Sequence, residues 1–155
     1  MVTQGNLQNA SAAIIIYKKK FLMQLRSKDK KLLYPHHWGC FGGSKLSKET
    51  YIDCITREVA EETNIDFKKK KFFFFLKIFF FVNYFNRKFT RNFFLLYLKD
   101  IKQFKKKFKL NEGADYGFFT YSQIIKLSKV VPYDKYAIDT YYKISNLNNF
   151  KIRKS

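Results

Sequence analysis

The chain has 155 residues, which suits one domain with one hydrophobic core. Its 31 Lys and Arg residues outnumber 12 Asp and Glu residues, giving a formal net charge of +19, and 46% of its residues are hydrophobic. This composition argues against intrinsic disorder and favours an anionic ligand. The abundance of Phe, Lys, Ile, Asn and Tyr is also explained by AT-rich codons.

Several other classes of protein are excluded. Cys40 and Cys54 are too few, and unsuitably spaced, for a zinc knuckle or a disulfide framework. No basic region of a signal peptide precedes the first apolar run. The most apolar run, 72–82, is interrupted by Lys77 and is far shorter than the about 20 residues that cross a bilayer. We therefore expect a cytoplasmic protein with a single domain over residues 1–155.

The first predicted elements are two strands, 12–17 and 20–26, joined by a turn of lysines. The second shows a period of two, which is typical of a half-buried strand. A polar loop then leads to a short apolar segment, 38–43. It ends in Gly42-Gly43, where the chain can turn sharply or bring bare backbone against a ligand.

The clearest predicted helix spans about 48–63. Ser47 is the expected N-cap, and Glu49 would lie in the first turn, where the helix dipole favours negative charge. Apolar residues recur at helical spacing and should face the core, namely Ile52, Ile55 and Val59. Asn64 is the expected terminator, because Asn often replaces Gly in the left-handed conformation.

The remaining elements extend the α/β pattern. The runs 72–82 and 89–98 predict strands, and their continuous apolar character indicates a sheet covered on both faces. The lysine runs at 68–71 and 105–107 are interpreted as solvated turns. After a loop over 111–117, we expect a short strand and a turn or short helix over 118–127, and a closing helix over 133–144.

Six of the twelve carboxylates lie in residues 49–66, where Arg57 is the single base. On a helix, Glu58 and Glu62 share one face and Glu61 flanks it. Like charges at this spacing repel by roughly 0.2–0.5 kcal/mol per pair, which suggests a compensating cation from outside the chain. Carboxylate oxygens suit Mg²⁺. A solvated acidic face is the alternative, but it leaves the concentration of acids in a basic chain unexplained.

The same segment, 43–65, resembles the Nudix hydrolase signature, Gly-x5-Glu-x7-Arg-Glu-U-x-Glu-Glu-x-Gly-U, in which U is a bulky aliphatic residue. The matching positions are Gly43, Glu49, Arg57, Glu58, Val59, Glu61, Glu62 and Ile65. Asn64 replaces the final glycine, which serves helix termination rather than chemistry, and Asn tolerates the same conformation. The flanking stretches HWGCFGG and NEGADYGFF are also similar to flanks in this family.

The resemblance implies an α/β fold of the Nudix type, an α/β/α sandwich with a mixed central sheet. It also implies a hydrolase, dependent on Mg²⁺ or Mn²⁺, that cleaves the pyrophosphate bond of a nucleoside diphosphate derivative such as a nucleotide sugar. The alternatives are a (d)NTP pyrophosphohydrolase, an RNA-directed decapping-like hydrolase and a non-catalytic nucleotide-binding module. The expected partner is a small-molecule nucleotide, with nucleic acid less favoured, no membrane, and a homodimer left open.

The resemblance further implies a role for each residue. The metal ligands would be the Gly42 carbonyl and the carboxylates of Glu58, Glu61 and Glu62. The general base would be Glu61, Glu62 or Glu112. A structural ion pair would join Glu49 to Arg57. Independently of the resemblance, His37 and Trp38 are candidates for substrate contact, with a purely structural role as the alternative.

Overall fold

A computed structural model describes residues 7–83 and 86–147. These residues form seven strands: β1 Gln8–Tyr17, β2 Lys20–Leu25, β3 Trp38–Gly39, β4 Phe41–Ser44, β5 Phe72–Val82, β6 Arg87–Tyr97 and β7 Asp115–Thr120. They also form four α-helices: α1 Tyr51–Thr63, α2 Ile101–Lys107, α3 Tyr121–Ile124 and α4 Pro132–Ser145. None of the helices in the described part of the chain is long and apolar enough to cross a membrane.

The strands form one mixed sheet in the order β3-β2-β1-β6-β5, with β4 paired to β1 and β7 paired to β2. β1 and β6 are parallel, and the other strand pairs are antiparallel. The central strand β1 is buried on both faces: Ile14 packs with residues of α4, and Ile15 packs with residues of α1. Helices therefore flank both faces of the sheet, and the predicted α/β/α sandwich is confirmed.

Helix α1 begins at Tyr51, so the predicted start near residue 48 is wrong. Thr50 is the N-cap: its side chain accepts a hydrogen bond from the Asp53 N–H, and the Asp53 carboxylate accepts one from the Thr50 N–H. This reciprocal capping box satisfies two backbone donors, which a cap at Ser47 would not do. Glu49 consequently lies in the loop before the helix. The predicted end is confirmed, because Asn64 adopts the left-handed conformation with φ 59°.

The predicted two-sided covering applies to β6 but is wrong for β5. β6 lies between β1 and β5, and most of its residues are buried. β5 is the last strand of the sheet, and large aromatic side chains on one of its faces are more than 45% exposed, namely Phe74, Phe79 and Phe81. The apolar run in the sequence of β5 thus reflects the abundance of Phe in the chain more than burial of both faces of the strand.

Of the two lysine runs, the predicted solvated turn at 68–71 is confirmed, whereas the one predicted at 105–107 is wrong. Residues 105–107 end helix α2, whose N-cap Asp100 accepts a hydrogen bond from the Gln103 N–H at 2.9 Å. Phe104 is buried and anchors this helix on the sheet. Three of the other lysines, Lys69–Lys71, form a short 3-10 turn before β5.

Candidate active site

A cavity of about 590 Å³ opens at the edge of the sheet where β1 and β6 begin and β2 and β4 end. Helix α1 contributes Glu58 and Glu62 to its wall, and the loop before β7 contributes Glu112. The backbone of Gly42 and Gly43 lies beside these carboxylates. Two of the acids concentrated in the sequence, Glu58 and Glu62, therefore converge with Glu112 on one cavity.

Glu62 is the most buried of these acids, with 4% of its surface exposed. One carboxylate oxygen accepts a hydrogen bond from the Gln24 side-chain amide, and the other accepts one from the Gly42 N–H, each at 2.7 Å. Burial raises the pKa of Glu62 to about 8 against the effect of these hydrogen bonds, and the charges of Glu58 and Glu112 raise it further. No Lys or Arg of the described ranges forms an ion pair with Glu62.

Glu58 lies one helical turn before Glu62 and packs against the backbone of β4. A Cβ atom on Gly43 would lie 2.4 Å from Glu58 Oε2, so any side chain at position 43 would displace the carboxylate. Burial raises the pKa of Glu58, as do the charges of Glu61 and Glu112, whereas Arg57 lowers it. The glycine turn thus permits a close approach of backbone and carboxylate.

Arg57 connects the acids on the rim of the cavity. Its Nε and Nη2 donate to the two carboxylate oxygens of Glu49, at 2.5 and 3.0 Å, and Nη2 also donates to the Ser44 carbonyl at 3.1 Å. Its Nη1 donates to Glu58 at 2.8 Å and to Glu61 at 3.0 Å. Hydrogen bonding to Arg57 lowers the pKa of Glu49 to about 2. The Glu49–Arg57 pair is thus part of a larger network that joins β4, the following loop and α1.

The sequence-predicted residues fall into two groups. Gly42, Glu58, Glu62 and Glu112 line the cavity, whereas the side chain of Glu61 is 55% exposed, is bonded to Arg57 and does not line it.

His37 and Trp38 also lie outside the cavity wall. The His37 Nδ1 is 2.8 Å from the Pro35 carbonyl oxygen. Trp38 packs against the core edge-to-face with Phe119, at 4.8 Å between ring centroids.

Sequence reasoning missed other residues of the wall, above all Gln24 on β2 and Arg91 on β6. Arg91 is buried, and its Nε donates to Asp134 Oδ1 at 3.1 Å. The other oxygen of Asp134 accepts a hydrogen bond from the Cys40 N–H at 2.8 Å. One signal in the sequence indicated this part of the wall: Thr90, Arg91 and Asn92 are three consecutive polar residues in an otherwise apolar strand. The structure shows that all three are buried.

The donor set fits a divalent metal ion. Within residues 7–83 and 86–147, no three His, Cys, Asp or Glu side chains are clustered closely enough to form a ready-made site. Nevertheless, Glu58 and Glu62 are largely buried carboxylates: the charge of Glu112 raises the pKa of both, and the charge of Glu58 also raises the pKa of Glu62. A hard cation with oxygen ligands would relieve that repulsion.

Comparisons with known proteins give consistent results. A family model described as NUDIX domain matches residues 7–141. The structure is similar to a MutT protein from Methanosarcina mazei Go1, with a TM-score of 0.76 and 19% identity, covering 93% of this chain and 99% of that one. Comparison with curated proteins finds no significant match.

Two further solved structures are similar. One is the dihydroneopterin triphosphate pyrophosphohydrolase of E. coli, with a TM-score of 0.67 and 20% identity, covering 86% of this chain and 93% of that one. The other is a bifunctional NMN adenylyltransferase/ADP ribose pyrophosphatase from Francisella tularensis, complexed with AMP and a Mn ion. Its TM-score is 0.63 at 19% identity, covering 90% of this chain and 42% of that one.

Proposed function

Because the chain belongs to the Nudix hydrolase family, we propose that it is a Mg²⁺-dependent pyrophosphohydrolase, with Mn²⁺ as the alternative metal. Its substrate would be a nucleoside diphosphate derivative, such as a nucleotide sugar. The observation that carries this proposal is the convergence of Glu58, Glu62 and Glu112 on one cavity beside the Gly42–Gly43 backbone. The two pyrophosphatases among the similar structures, one of them holding a Mn ion, support the reaction class.

The residues of the site would have two roles, metal binding and proton transfer. Glu58, Glu62 and the Gly42 carbonyl would hold the metal. Glu61, which is bonded to Arg57 outside the cavity, would have to give up that bond to add a further ligand. A bound divalent ion would neutralise the diphosphate and lower the pKa of the attacking water. Gln24 and the Gly42 N–H orient the Glu62 carboxylate from the side of the sheet.

Glu112 is our preferred general base among Glu61, Glu62 and Glu112. Both oxygens of Glu62 are already engaged by hydrogen bonds, and Glu61 does not line the cavity. Glu112 lines it from a loop and is exposed, so its carboxylate is accessible to a water molecule. We expect Glu112→Gln to lower kcat by about 10²–10⁴-fold, the range for loss of a general base. Hydrolysis unaffected by this change would move the role to Glu61 or Glu62.

The proposal is tested by a panel of nucleotide sugars, ADP-ribose, dinucleoside polyphosphates, (d)NTPs and capped RNA, with identification of products in Mg²⁺. Glu62→Gln should abolish hydrolysis and retain the melting temperature, because Gln preserves the shape but not the charge of a buried ligand. Asp66→Asn is the matched control, since Asp66 is exposed and does not line the cavity. Near-normal turnover by Glu62→Gln would contradict the metal role, and nucleotide binding without product across the panel would favour a non-catalytic module.

A further inference from the structure

The wall of the cavity opposite the acids of α1 is aromatic and basic. We call it the aromatic wall and define it by Phe80 of β5, Phe89 and Arg91 of β6, and Tyr133 of α4, all of which line the cavity. The proposed phosphate chemistry takes place at the carboxylates, so it gives these four residues no role. Their arrangement indicates what lies at the other end of the substrate.

The three rings of the aromatic wall are stacked. Phe80 lies nearly parallel to Phe89, with 5.4 Å between ring centroids and 8° between ring planes. Phe80 also stacks on Tyr133, at 4.7 Å and 23°. Rings stacked in this way present their edges and the outer faces of the end rings to the cavity, an apolar surface that suits a planar heterocycle better than a sugar or a chain of phosphates.

Arg91 adds hydrogen-bond donors to this surface. Its guanidinium lies over the Tyr133 ring, at 5.2 Å from the ring centroid, and its charge is balanced by the fully buried Asp134. In the part of the chain that the structure describes, Nη2 is buried and has no hydrogen-bond acceptor. A buried donor of this kind requires an acceptor, and because Asp134 already neutralises the charge, a neutral acceptor suits it better than a phosphate.

We propose that the aromatic wall is a base-binding subsite for guanine, an inference that rests on the proposed function. Guanine presents two adjacent acceptors, O6 and N7, which match the donors of an arginine fork. Cytosine presents O2 and N3 in the same way, but its single ring would cover less of the stacked rings. Adenine presents a donor at N6 next to its N7 acceptor, so it would leave one arginine donor without an acceptor. The substrate would accordingly be a guanine nucleotide derivative.

Binding of nucleoside monophosphates tests the subsite without any turnover. GMP, AMP, CMP and UMP would be titrated into the protein and followed by NMR, first with EDTA and then with Mg²⁺. Because one bidentate arginine contact discriminates strongly between bases, we expect GMP to bind about tenfold more tightly than AMP. Binding of AMP, CMP or UMP as tight as that of GMP, or no binding of any of the four in either buffer, would overturn the inference.

Three variants separate the roles of the residues. Arg91→Lys keeps a cation beside Asp134 but removes the fork, so it should reduce GMP affinity about tenfold and leave AMP affinity unchanged. Phe80→Leu should weaken GMP and AMP binding alike. Phe79→Leu is its control, because Phe79 is adjacent on the same strand, 63% exposed and outside the cavity, and it should change neither.

Melting temperatures would show whether each variant is folded. If Arg91→Lys does not fold, the comparison of Phe80→Leu with Phe79→Leu tests the subsite instead. Equal effects of these two variants on nucleotide binding would overturn the inference. Preference for GMP without hydrolysis of any substrate would reject the proposed function and retain the subsite. Hydrolysis without preference for guanine would retain the proposed function and reject the subsite.

Discussion

Burial and hydrogen bonding act in opposite directions on the Glu62 carboxyl, and burial dominates, so that its pKa is about 8. In the metal-free protein near neutral pH, this carboxyl therefore carries a proton for most of the time. The metal ion of the proposed site would compete with that proton for the same oxygens. Affinity for the metal should accordingly increase with pH.

The same shift predicts how stability depends on pH. The folded pKa of Glu62 lies above the ordinary value of 4.5, so the folded state binds more protons than the unfolded state between the two values. The contribution of Glu62 is fully present below about pH 4.5 and is lost as the pH rises towards about 8. Denaturant unfolding without metal should show the free energy of unfolding declining over this pH range. The decline should be smaller in Glu62→Gln. A variant with the same pH profile as the wild type would contradict the prediction.

Arg57 makes a second prediction at the residue scale. Lysine cannot reproduce the five hydrogen bonds that Arg57 makes to Glu49, Glu58, Glu61 and Ser44. We expect Arg57→Lys to lower the free energy of unfolding by about 1.5–3 kcal/mol, the range for hydrogen bonds to charged groups. Denaturant titration measures this loss, and Lys48→Arg is the control for exchanging one basic side chain for another. A loss below about 0.5 kcal/mol, typical of surface substitutions, would show that the network is not structural.

At the scale of elements, the end of α1 explains why the one departure from the Nudix signature is tolerated. Asn64 is left-handed, and its N–H donates to the Ala60 carbonyl. Asn64→Gly should retain activity and leave stability equal or slightly greater. Asn64→Ala should cost about 1 kcal/mol, because a Cβ without a local hydrogen-bonding group is disfavoured in this conformation. Thermal unfolding of the two variants checks this, and equal melting temperatures would contradict it.

The elements also show how far the sequence predicts this molecule. Most strands, α1, α4 and the acids of the cavity were predictable, because periodicity and motif spacing are local signals. The N-cap was not, since Ser47 and Thr50 are both suitable residues, and only the reciprocal bond to Asp53 decides between them. The exposed face of β5 and the Arg91–Asp134 pair depend on which strands and helices become neighbours. Such contacts between residues distant in sequence leave little local trace.

At the scale of the whole molecule, the excess of cations opposes compactness. A net charge of +19 on 155 residues produces self-repulsion, and the six ion pairs among the described residues leave that net charge unchanged. The same excess should attract a polyanionic substrate towards the cavity, whose rim includes Arg26 and Lys31.

This charge predicts an unusual response to salt. Raising NaCl from about 10 to about 150 mM shortens the Debye length from about 30 to about 8 Å, which should screen the repulsion and raise the melting temperature. Lys102→Glu lowers the net charge in the first turn of α2, where the helix dipole favours a carboxylate. It should raise the melting temperature at low salt and reduce the salt dependence. A melting temperature that falls with salt would show that specific ion pairs dominate instead.

The two hydrogen bonds to Glu62 would have a consequence for the kinetics of metal uptake by the proposed site. Gln24 and the Gly42 N–H hold the carboxylate before any cation arrives, so the rotameric entropy of this side chain is lost during folding. Metal binding would then require little further ordering of this side chain. The rate of uptake would then depend on loss of the Glu62 proton and on the ion itself, and since Mg²⁺ releases its water reluctantly, exchange of that hydration shell would be the slow event.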